Sequence, residues 1–421
     1  MKLRYGLDEK PPMWQLLMYG LQWLIISIPN VLTVAMLAKL QFFDDVAMQT
    51  LYLQKLYVVV GLVMVVQALW GHRMPLVVGP AAVLIVGILS AQSAGFNAAY
   101  TAIAVCGAAV FLISISGLIG KIQKIFTPRI IITILGLISM TLAPVFLGLI
   151  FSEGDLLFNF AFTIIAIIVT FFINDRLPGV WKSLTLVITV AAGTGVYYLW
   201  NDVPEMASGG YAIRMSDFII TPEFNAGAII SFLICFFALL INELGSIQSV
   251  KDMTKADNPE KRISRGCSVT GLGNALSGML GVIGPVDFSV SPGIIATTGC
   301  ASRYTIVPCG IGLIVCAFCP PMIRMFTMLP DLIIGVMLMY IVVLQLAAAF
   351  NMMIENRCVT TFNHALTIAI PLGIGLFVAL LPQHIVALFP PLLQPVLSNG
   401  FVIGVLIVVF LEHLVFSGRK R

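Results

Sequence analysis

Residues 285–293 read PVDFSVSPG, and residues 75–82 read PLVVGPAA. Each stretch begins with a proline, Pro285 or Pro75, followed by four to six residues and a second proline, Pro292 or Pro80. An apolar segment follows the second proline. Proline disfavours helix in the residue before it and suits the first turn of a helix. Each stretch therefore predicts a short strand followed by a half-helix, with Ser291 as an N-cap. Two proline-kinked helices are the alternative interpretation.

The composition places these stretches in a membrane protein. The chain has 421 residues, 59% hydrophobic and 10% charged, with a mean hydropathy of +1.04. A soluble domain carries about 25% charged residues, so this chain could not cover a globule with polar surface. Disorder, a secreted disulfide scaffold and a soluble enzyme are excluded. The scattered net charge of +4 does not favour nucleic-acid binding.

The apolar segments predict an all-α polytopic membrane protein with two halves. About 20 apolar residues span a bilayer, and breaks at charges and Pro/Gly clusters predict fourteen segments. Residues 1–200 hold segments 1–7, residues 201–224 form a connecting loop, and residues 225–421 hold segments 8–14. Because seven crossings are an odd number, the second half must begin on the opposite side of the membrane from the first. The halves are therefore predicted to be inverted repeats. The two proline-bounded stretches are segments 3 and 10, third in each half, and such pairs are typical of a transporter's substrate site.

The basic residues predict the orientation. If the N-terminus is cytoplasmic, nineteen of the 23 Lys and Arg residues lie on the cytoplasmic side, and four lie outside: Lys39, Lys55, Arg214 and Arg324. The positive-inside rule therefore predicts that both termini are cytoplasmic.

Two carboxyl groups lie within predicted spans. A charge at the bilayer centre costs about 2.5–3.5 kcal/mol, so Glu243 and Asp287 are expected to face a cavity or a partner. Both are proton-coupling candidates. Alternatively, Asp287 caps the following half-helix and Glu243 holds a helix pair together. Asn242 lies about 100° around the helix from Glu243, so both cannot point at one ligand. Gly245 would allow close approach of another backbone.

Several short motifs carry a family resemblance. The chain resembles the nucleobase–ascorbate transporters (the nucleobase:cation symporter-2 family), and within them the divergent purine permeases, over nearly its whole length. The matching residues are Tyr5-Gly6-Leu7-Asp8, Pro11-Pro12, Tyr19-Gly20-Leu21-Gln22, Pro75 to Pro80, Gly293, Thr298-Gly299, Ser302-Arg303 and Ser398-Asn399-Gly400.

The resemblance implies an architecture and a function. Segments 1–4 and 8–11 would form a core domain, segments 5–7 and 12–14 a gate domain, and the strands of segments 3 and 10 would meet between them. It implies a homodimer in the bacterial inner membrane. The implied function is secondary active uptake of a nucleobase, a purine such as xanthine or uric acid, or uracil, by proton symport with an elevator-like movement of the core domain.

The resemblance also places the site, with departures from the family pattern. Asn242 stands where the family usually has Glu, Val290 and Ser291 replace its Gln/Glu–Asn pair, and Trp23 replaces its histidine. Asn30 and Gln22 fall on one face of segment 1, either to bind substrate or to bond between helices. The substrate-binding candidates are Asn30, Ala82, Asn242, Ser246, Phe288, Ser289, Val290 and Ser291, with Gln22, Gly293 and Thr298 in support.

Three other functions remain as alternatives. One is an uncoupled nucleobase facilitator. Another is an anion transporter or channel on the same fold, which would need a cation near the half-helices, and none occurs between Pro75 and Gly87 or between Pro285 and Cys300. The third, a membrane enzyme, would need a metal or nucleophile constellation that the scattered histidines and cysteines do not supply. We expect no catalytic residue, metal or cofactor.

Overall fold

The computed structural model describes residues 3–416. The ranges it does not describe are 33–34, 43–44, 121–126, 153, 178–184, 203–217, 289–290, 320–322, 324–328 and 391–392.

The described chain is mostly helical. Its first half contains α1 (Met13–Leu32), α2 (Ala35–Phe42), α3 (Val46–Leu69), β1 (Val77–Pro80), α4 (Ala82–Ser90), α5 (Phe96–Ile115), α6 (Pro128–Thr141), α7 (Ala143–Ile150), α8 (Leu156–Arg176) and α9 (Thr185–Trp200). Its second half contains α10 (Ala226–Thr254), α11 (Pro259–Met279), β2 (Pro285–Phe288), α12 (Ser291–Thr298), α13 (Ile306–Ala317), α14 (Asp331–Glu355), α15 (Phe362–Ala379), α16 (Gln383–Val386), α17 (Gln394–Leu397) and α18 (Gly400–Phe410), which continues as a π-helical turn over Leu411–Val415.

The two proline-bounded stretches form the strands expected of them. β1 and β2 pair antiparallel, with Val78 opposite Asp287 and Pro80 opposite Pro285. A half-helix follows each strand, α4 after β1 and α12 after β2. Backbone in this extended form inside a membrane protein needs a partner for its polar groups, and each strand supplies them to the other.

The N-cap prediction for Ser291 is wrong. Ser291 is the first residue of α12, and its hydroxyl accepts a hydrogen bond from the Val77 N–H at 3.0 Å. The strand pairing brings Val77 beside Ser291, so this hydroxyl joins the two halves of the chain instead of capping its own helix.

Several helices have the length and composition of membrane spans. Among the described residues, seven helices are long and apolar enough to cross a bilayer. The α8 helix is the most exposed of them, with Leu157 75% and Ile168 63% accessible. Large apolar side chains stay exposed on a helix of this length when lipid covers them.

Glycines allow the helices α5 and α11 to approach each other closely. A Cβ atom on Gly271 would lie 2.5 Å from the Phe111 backbone nitrogen and 2.9 Å from the Gly107 carbonyl oxygen. Gly278 makes an equally close approach to the Ala104 backbone. Small residues let helix backbones meet in membranes, where packing and not water exclusion drives association.

The helices pack in two groups. In one, α5 packs on α11, α3 on α13, α1 on α13, and α10 on α4, α5 and the strand pair. In the other, α6 packs on α14, α15 and α18, and α14 packs on α7, α8 and α9. Asn399, the N-cap of α18, joins the two groups because its Nδ2 donates to Ser90 Oγ on α4 at 2.8 Å and to Ser231 Oγ on α10 at 3.2 Å.

The α5–α11 contact yields the first prediction. We expect Gly271→Ala to destabilise the protein by about 1–3 kcal/mol, because the added methyl group forces two backbones apart. Gly148→Ala is the matched control, since a Cβ on this helical glycine meets no atom within 4 Å. Thermal unfolding in detergent should show a lower midpoint for Gly271→Ala than for Gly148→Ala. Equal midpoints would contradict this account of the contact.

Candidate substrate site and its buried carboxyl groups

Glu243 and Asp287, the two carboxyl groups singled out in the sequence, are in contact and fully buried. Glu243 lies on α10, and its Oε2 accepts the Asp287 backbone N–H at 3.0 Å. Its Oε1 accepts a hydrogen bond from Thr270 Oγ1 at 2.6 Å and one from Gln67 Nε2 at 3.4 Å. The Glu243 carboxyl group therefore holds β2, α11 and α3 together around α10.

Gln67 extends this network along α3. Its Nε2 donates to the Gly266 carbonyl oxygen and to Thr270 Oγ1, both at 2.9 Å. Its Oε1 accepts the His72 backbone N–H at 3.3 Å. One buried amide thus fixes both the start of the turn after α3 and the middle of α11.

His72 brings a third titratable group to the cluster. Its Nε2 lies 3.1 Å from Asp287 Oδ2, and both side chains are fully buried. Its Nδ1 accepts the Met74 N–H at 2.9 Å, which assigns the neutral imidazole with its proton on Nε2, facing Asp287. Gly266 makes room for the ring, since a Cβ there would lie 3.1 Å from His72 Cβ.

The Asp287 side chain does not cap the following half-helix. Neither of its oxygens has a hydrogen bond of regular geometry to any described residue, the 3.1 Å approach of His72 included. Its backbone is held instead, because Glu243 accepts its N–H and Ser246 Oγ donates to its carbonyl oxygen at 2.8 Å. A buried carboxyl oxygen without a donor is a costly feature for a stability role alone.

Arg262 positions the backbone that carries His72. One guanidinium nitrogen of this buried residue donates to the carbonyl oxygens of His72 at 3.2 Å and of Arg73 at 3.0 Å. Its other end binds Asp257 in the α10–α11 loop at 2.5 Å, and this hydrogen bond lowers the pKa of Asp257.

Arg73 has a positive φ of 57°, which is uncommon for a residue with a side chain. The Arg262 bond to its carbonyl oxygen is one of the contacts that hold this backbone in place.

Asn242 and Gly245 lie on a more open side of α10. Asn242 is half-buried, and its amide makes no hydrogen bond with any described residue, whereas the adjacent Glu243 points into the buried network. The predicted divergence of these two side chains is therefore present in the structure. The prediction for Gly245 is wrong: it is exposed, and a Cβ there would meet no atom within 4 Å, so no other backbone approaches it.

The remaining predicted site residues divide into two sets. Phe288 is half-buried and its ring covers Gly79 on β1, Ala82 is half-buried at the start of α4, and Gln22 is half-buried on α1. Thr298 donates within its own helix, to the Ile294 carbonyl oxygen at 2.7 Å. Outside the described residues lie Ser289 and Val290, together with the side-chain surroundings of Asn30 on α1 and Gly293 on α12.

The buried cluster around Glu243 and Asp287 also contains three residues that were not predicted from the sequence: His72, Gln67 and Thr270. The signal for His72 was its place in the sequence Gly71-His72-Arg73-Met74-Pro75, directly before the first strand. Gln67 and Thr270 were polar residues inside apolar or small-residue helices, which in membranes usually find a partner.

Metal-ligand groups and cavities among the described residues bear on what the site could hold. No group of three or more His, Cys, Asp and Glu side chains there could hold a metal ion. A cavity of about 280 Å³ lies at the α4–α5 turn, and none of the predicted site residues lines it; its lining is Leu37, Gln41, Ile88, Leu89, Ala91, Gln92, Gly95, Phe96 and Ala99.

A pair of discontinuous segments that meet as antiparallel strands, each continued by a half-helix, is the architecture of a membrane transporter. The family model described as "Permease family" (Xan_ur_permease) matches residues 14–384, so the chain belongs to this family, the nucleobase–ascorbate transporters. The expected family membership is confirmed, and with it a multi-pass membrane protein that is a permease and not an enzyme.

Named relatives cover nearly the whole chain. One is a Clostridium perfringens protein named "Putative purine permease CPE0397", 24% identical over 423 residues, with 97% of this chain and 92% of the relative covered. Another is the uric acid permease PucK of Bacillus subtilis, 23% identical, with 96% of each chain covered.

A solved structure shows the same fold. The transmembrane domain of the cyanobacterial bicarbonate transporter BicA matches with a TM-score of 0.62 at 16% identity, covering 86% of this chain and 95% of that domain.

The network around Glu243 yields the second prediction. We expect Thr270→Val to cost about 1–3 kcal/mol of stability, because the shortest donor to a buried carboxyl oxygen is removed without a change of shape. Thr141→Val is the matched control, since that buried hydroxyl donates to the Leu137 carbonyl oxygen of its own helix. Denaturant titration in detergent measures both. Equal losses for the two variants would contradict a special role for the Thr270 contact.

Proposed function

We propose that this permease transports a nucleobase, with a purine such as xanthine or uric acid as the first candidate and uracil as the second. The observation that carries the proposal is family membership over residues 14–384, together with relatives named as purine and uric acid permeases. The paired strands and Asn242, whose amide has no hydrogen-bond partner among the described residues, suit a small planar ligand with donors and acceptors on its edges.

The proposed binding space lies between α1, the strand pair and α10. Half-helix N-termini offer backbone N–H groups to a ligand. Asn242 supplies an amide that makes no hydrogen bond within the described part of the chain, and Phe288 supplies a half-buried aromatic ring. No Lys or Arg occurs in residues 75–87 or 285–300, which favours a ligand recognised by hydrogen bonds over a small inorganic anion. Asn30, Ala82, Ser289 and Val290 complete the proposed lining, with Ser246 and Ser291 holding the strands.

The proposed architecture is the one implied by the family. Fourteen segments form two inverted repeats of seven, residues 1–200 and 225–421, with a core domain of segments 1–4 and 8–11 and a gate domain of segments 5–7 and 12–14. Transport moves the core domain against the gate domain in an elevator-like manner. The proposed setting is a homodimer in the bacterial inner membrane with both termini cytoplasmic.

Proton symport is the proposed mode of coupling. Glu243 and Asp287 are buried carboxyl groups in contact, one on α10 and one on β2, and such groups inside membranes are typical of proton pathways. Uncoupled facilitated diffusion is the competing mode, in which both groups serve only to hold the strand pair.

Anion transport is a second candidate function, favoured by one observation. The matched solved structure is named a bicarbonate transporter, although at 16% identity the likeness concerns the fold. The half-helix sequences lack the cationic residue that an anion would need, so a nucleobase remains the better-supported ligand.

Uptake by proteoliposomes tests the substrate and yields the third prediction. We expect uptake of radiolabelled xanthine or uric acid, competed by unlabelled purine and not by bicarbonate. Asn242→Ala should raise KM about tenfold, the equivalent of one strong hydrogen bond of roughly 1.4 kcal/mol.

Asn351→Ala is the control for Asn242→Ala, since Asn351 is an exposed amide on α14 that bonds Glu355 of the same helix. Bicarbonate flux in the absence of any nucleobase flux would reject the proposal.

The Asn399 bridge between the two helix groups yields the fourth prediction. If the groups move past each other, the bonds to Ser90 and Ser231 must break. Asn399→Ser should keep the N-cap of α18, since serine is a good N-cap residue. The shorter side chain cannot reach both Ser90 and Ser231, so the bridge is lost. We expect faster hydrogen exchange in residues 226–236 and unchanged exchange in 400–410.

The control for the bridge is Ser398→Ala, which removes only a bond to the nearby Gln394 carbonyl oxygen. Unchanged exchange in residues 226–236 of Asn399→Ser would show that the bridge does not hold the two groups together.

A further inference from the structure

We propose that Asp287 is the carboxyl group that binds the coupled proton, that His72 positions it, and that Glu243 is a fixed acceptor. This inference rests on the proposed proton symport and decides between its two candidate carboxyl groups. Two observations support it. Glu243 has hydrogen-bond donors on both of its oxygens whereas the Asp287 side chain has no regular donor in the described part of the chain, and His72 lies 3.1 Å from Asp287.

First, the Glu243 carboxyl group has more hydrogen-bond donors than the Asp287 carboxyl group. Glu243 accepts hydrogen bonds from Thr270, from Gln67 and from the Asp287 backbone N–H, so its two oxygens are both served. Hydrogen bonds to the charged form stabilise that form. The Asp287 side chain has no regular hydrogen-bond donor among the described residues: its polar neighbours there are the imperfectly aligned His72 Nε2–H, 3.1 Å from Oδ2, and the Glu243 carboxyl group. Oδ1 is therefore the atom with room for a proton.

The second step is the charge balance of the cluster. Two carboxylates in contact inside a buried cluster repel each other, so such a pair holds one shared proton more readily than none. The imidazole of His72 is neutral in its assigned tautomer, because Nδ1 accepts the Met74 N–H. A proton from water that binds Asp287 Oδ1 removes one of the two negative charges, and its release on the other side of the membrane restores it.

The charged and titratable groups around Asp287 are few. Glu243 faces it from α10, Cys267 from α11 and His72 from the turn after α3. Arg262 acts on His72 from the start of α11, with its guanidinium bound to the His72 and Arg73 carbonyl oxygens. On β1 the residue paired with Asp287 is Val78, which does not titrate.

The third step links the proton to transport. Asp287 is a residue of β2, and its N–H and carbonyl oxygen are bound by Glu243 and Ser246 of α10. Phe288, the next residue, is half-buried beside the proposed ligand space. A change of charge on the Asp287 side chain therefore acts on the strand that borders the ligand.

The test is uptake in proteoliposomes with an imposed pH gradient, using xanthine as the probe. Asp287→Asn should keep xanthine exchange but lose accumulation above equilibrium, and this is the fifth prediction. Glu243→Gln should transport more slowly yet still accumulate xanthine with the gradient. Glu260→Gln, a change at an exposed carboxylate in the first turn of α11, is the matched control and should behave as the unmodified protein.

Two histidine variants test the positioning role. His72→Asn keeps an acceptor for the Met74 N–H but loses the donor to Asp287, whereas His72→Gln keeps a donor at comparable reach. We expect His72→Asn to move the pH profile of accumulation to higher pH, because the carboxylate form loses its donor, and His72→Gln to restore most of it. His364→Ala, on the exposed start of α15, should leave the profile unchanged.

The outcomes separate this inference from the proposed function. If the unmodified protein exchanges no nucleobase, the proposed function fails, and the inference is then judged by infrared spectroscopy. A protonated-carboxyl band that titrates with pH and is absent in Asp287→Asn supports it, and a band lost only in Glu243→Gln overturns it.

If xanthine is exchanged, gradient-driven accumulation by Asp287→Asn, or accumulation that follows an imposed sodium gradient instead, overturns the inference. If Asp287→Asn fails to fold, the pH profile of xanthine accumulation by His72→Asn decides the question. A profile unchanged from that of the unmodified protein overturns the inference.

Discussion

The contact between the Glu243 carboxyl group and the Asp287 backbone N–H is the constraint on which the site depends. It ties the long α10 helix to β2, and β2 in turn pairs with β1, so one buried carboxyl group connects both halves of the chain. Removing one partner of a buried ion pair leaves the other charge buried without a partner, which costs about 3–5 kcal/mol of stability. The loss of a donor to the buried Glu243 carboxyl group is a change of the same kind. The pairing of β1 with β2 and this contact together satisfy polar backbone groups inside a membrane protein.

The strands themselves could be predicted from the sequence because proline acts locally. A proline restricts its own backbone and that of the residue before it, which favours extended backbone at Gly79 and Pro80 in β1 and at Pro285, the first residue of β2. The partner of each strand was not determined locally. For that reason Ser291 looked like an N-cap, while in the structure its hydroxyl serves Val77 in the other half of the chain.

The candidate site could be predicted only in part, for the same reason. Glu243 and Asp287 stood out because charge is costly in apolar segments. His72 did not, since a single histidine in a turn shows no partner until the turn is folded against β2. Gly245 was misjudged because a glycine permits close approach without requiring it, and here its surroundings are open.

Asn242 and Glu243 are adjacent on α10 and point in different directions. One position along a helix turns a side chain by about 100°. The Glu243 carboxyl group therefore lies in the buried network, while the Asn242 amide lies on a more open side of the helix. A ligand beside Asn242 would then be recognised by neutral hydrogen bonds, while Asp287, the carboxyl group proposed to bind the proton, lies on β2.

Ligand-dependent thermal unfolding of the purified protein tests most directly whether it binds a nucleobase. A ligand that binds only the folded state raises the unfolding midpoint in a saturable manner. The account predicts such a rise with xanthine or uric acid, a much smaller rise for Asn242→Ala, and no rise with bicarbonate. Stabilisation by bicarbonate with no response to any nucleobase would contradict it.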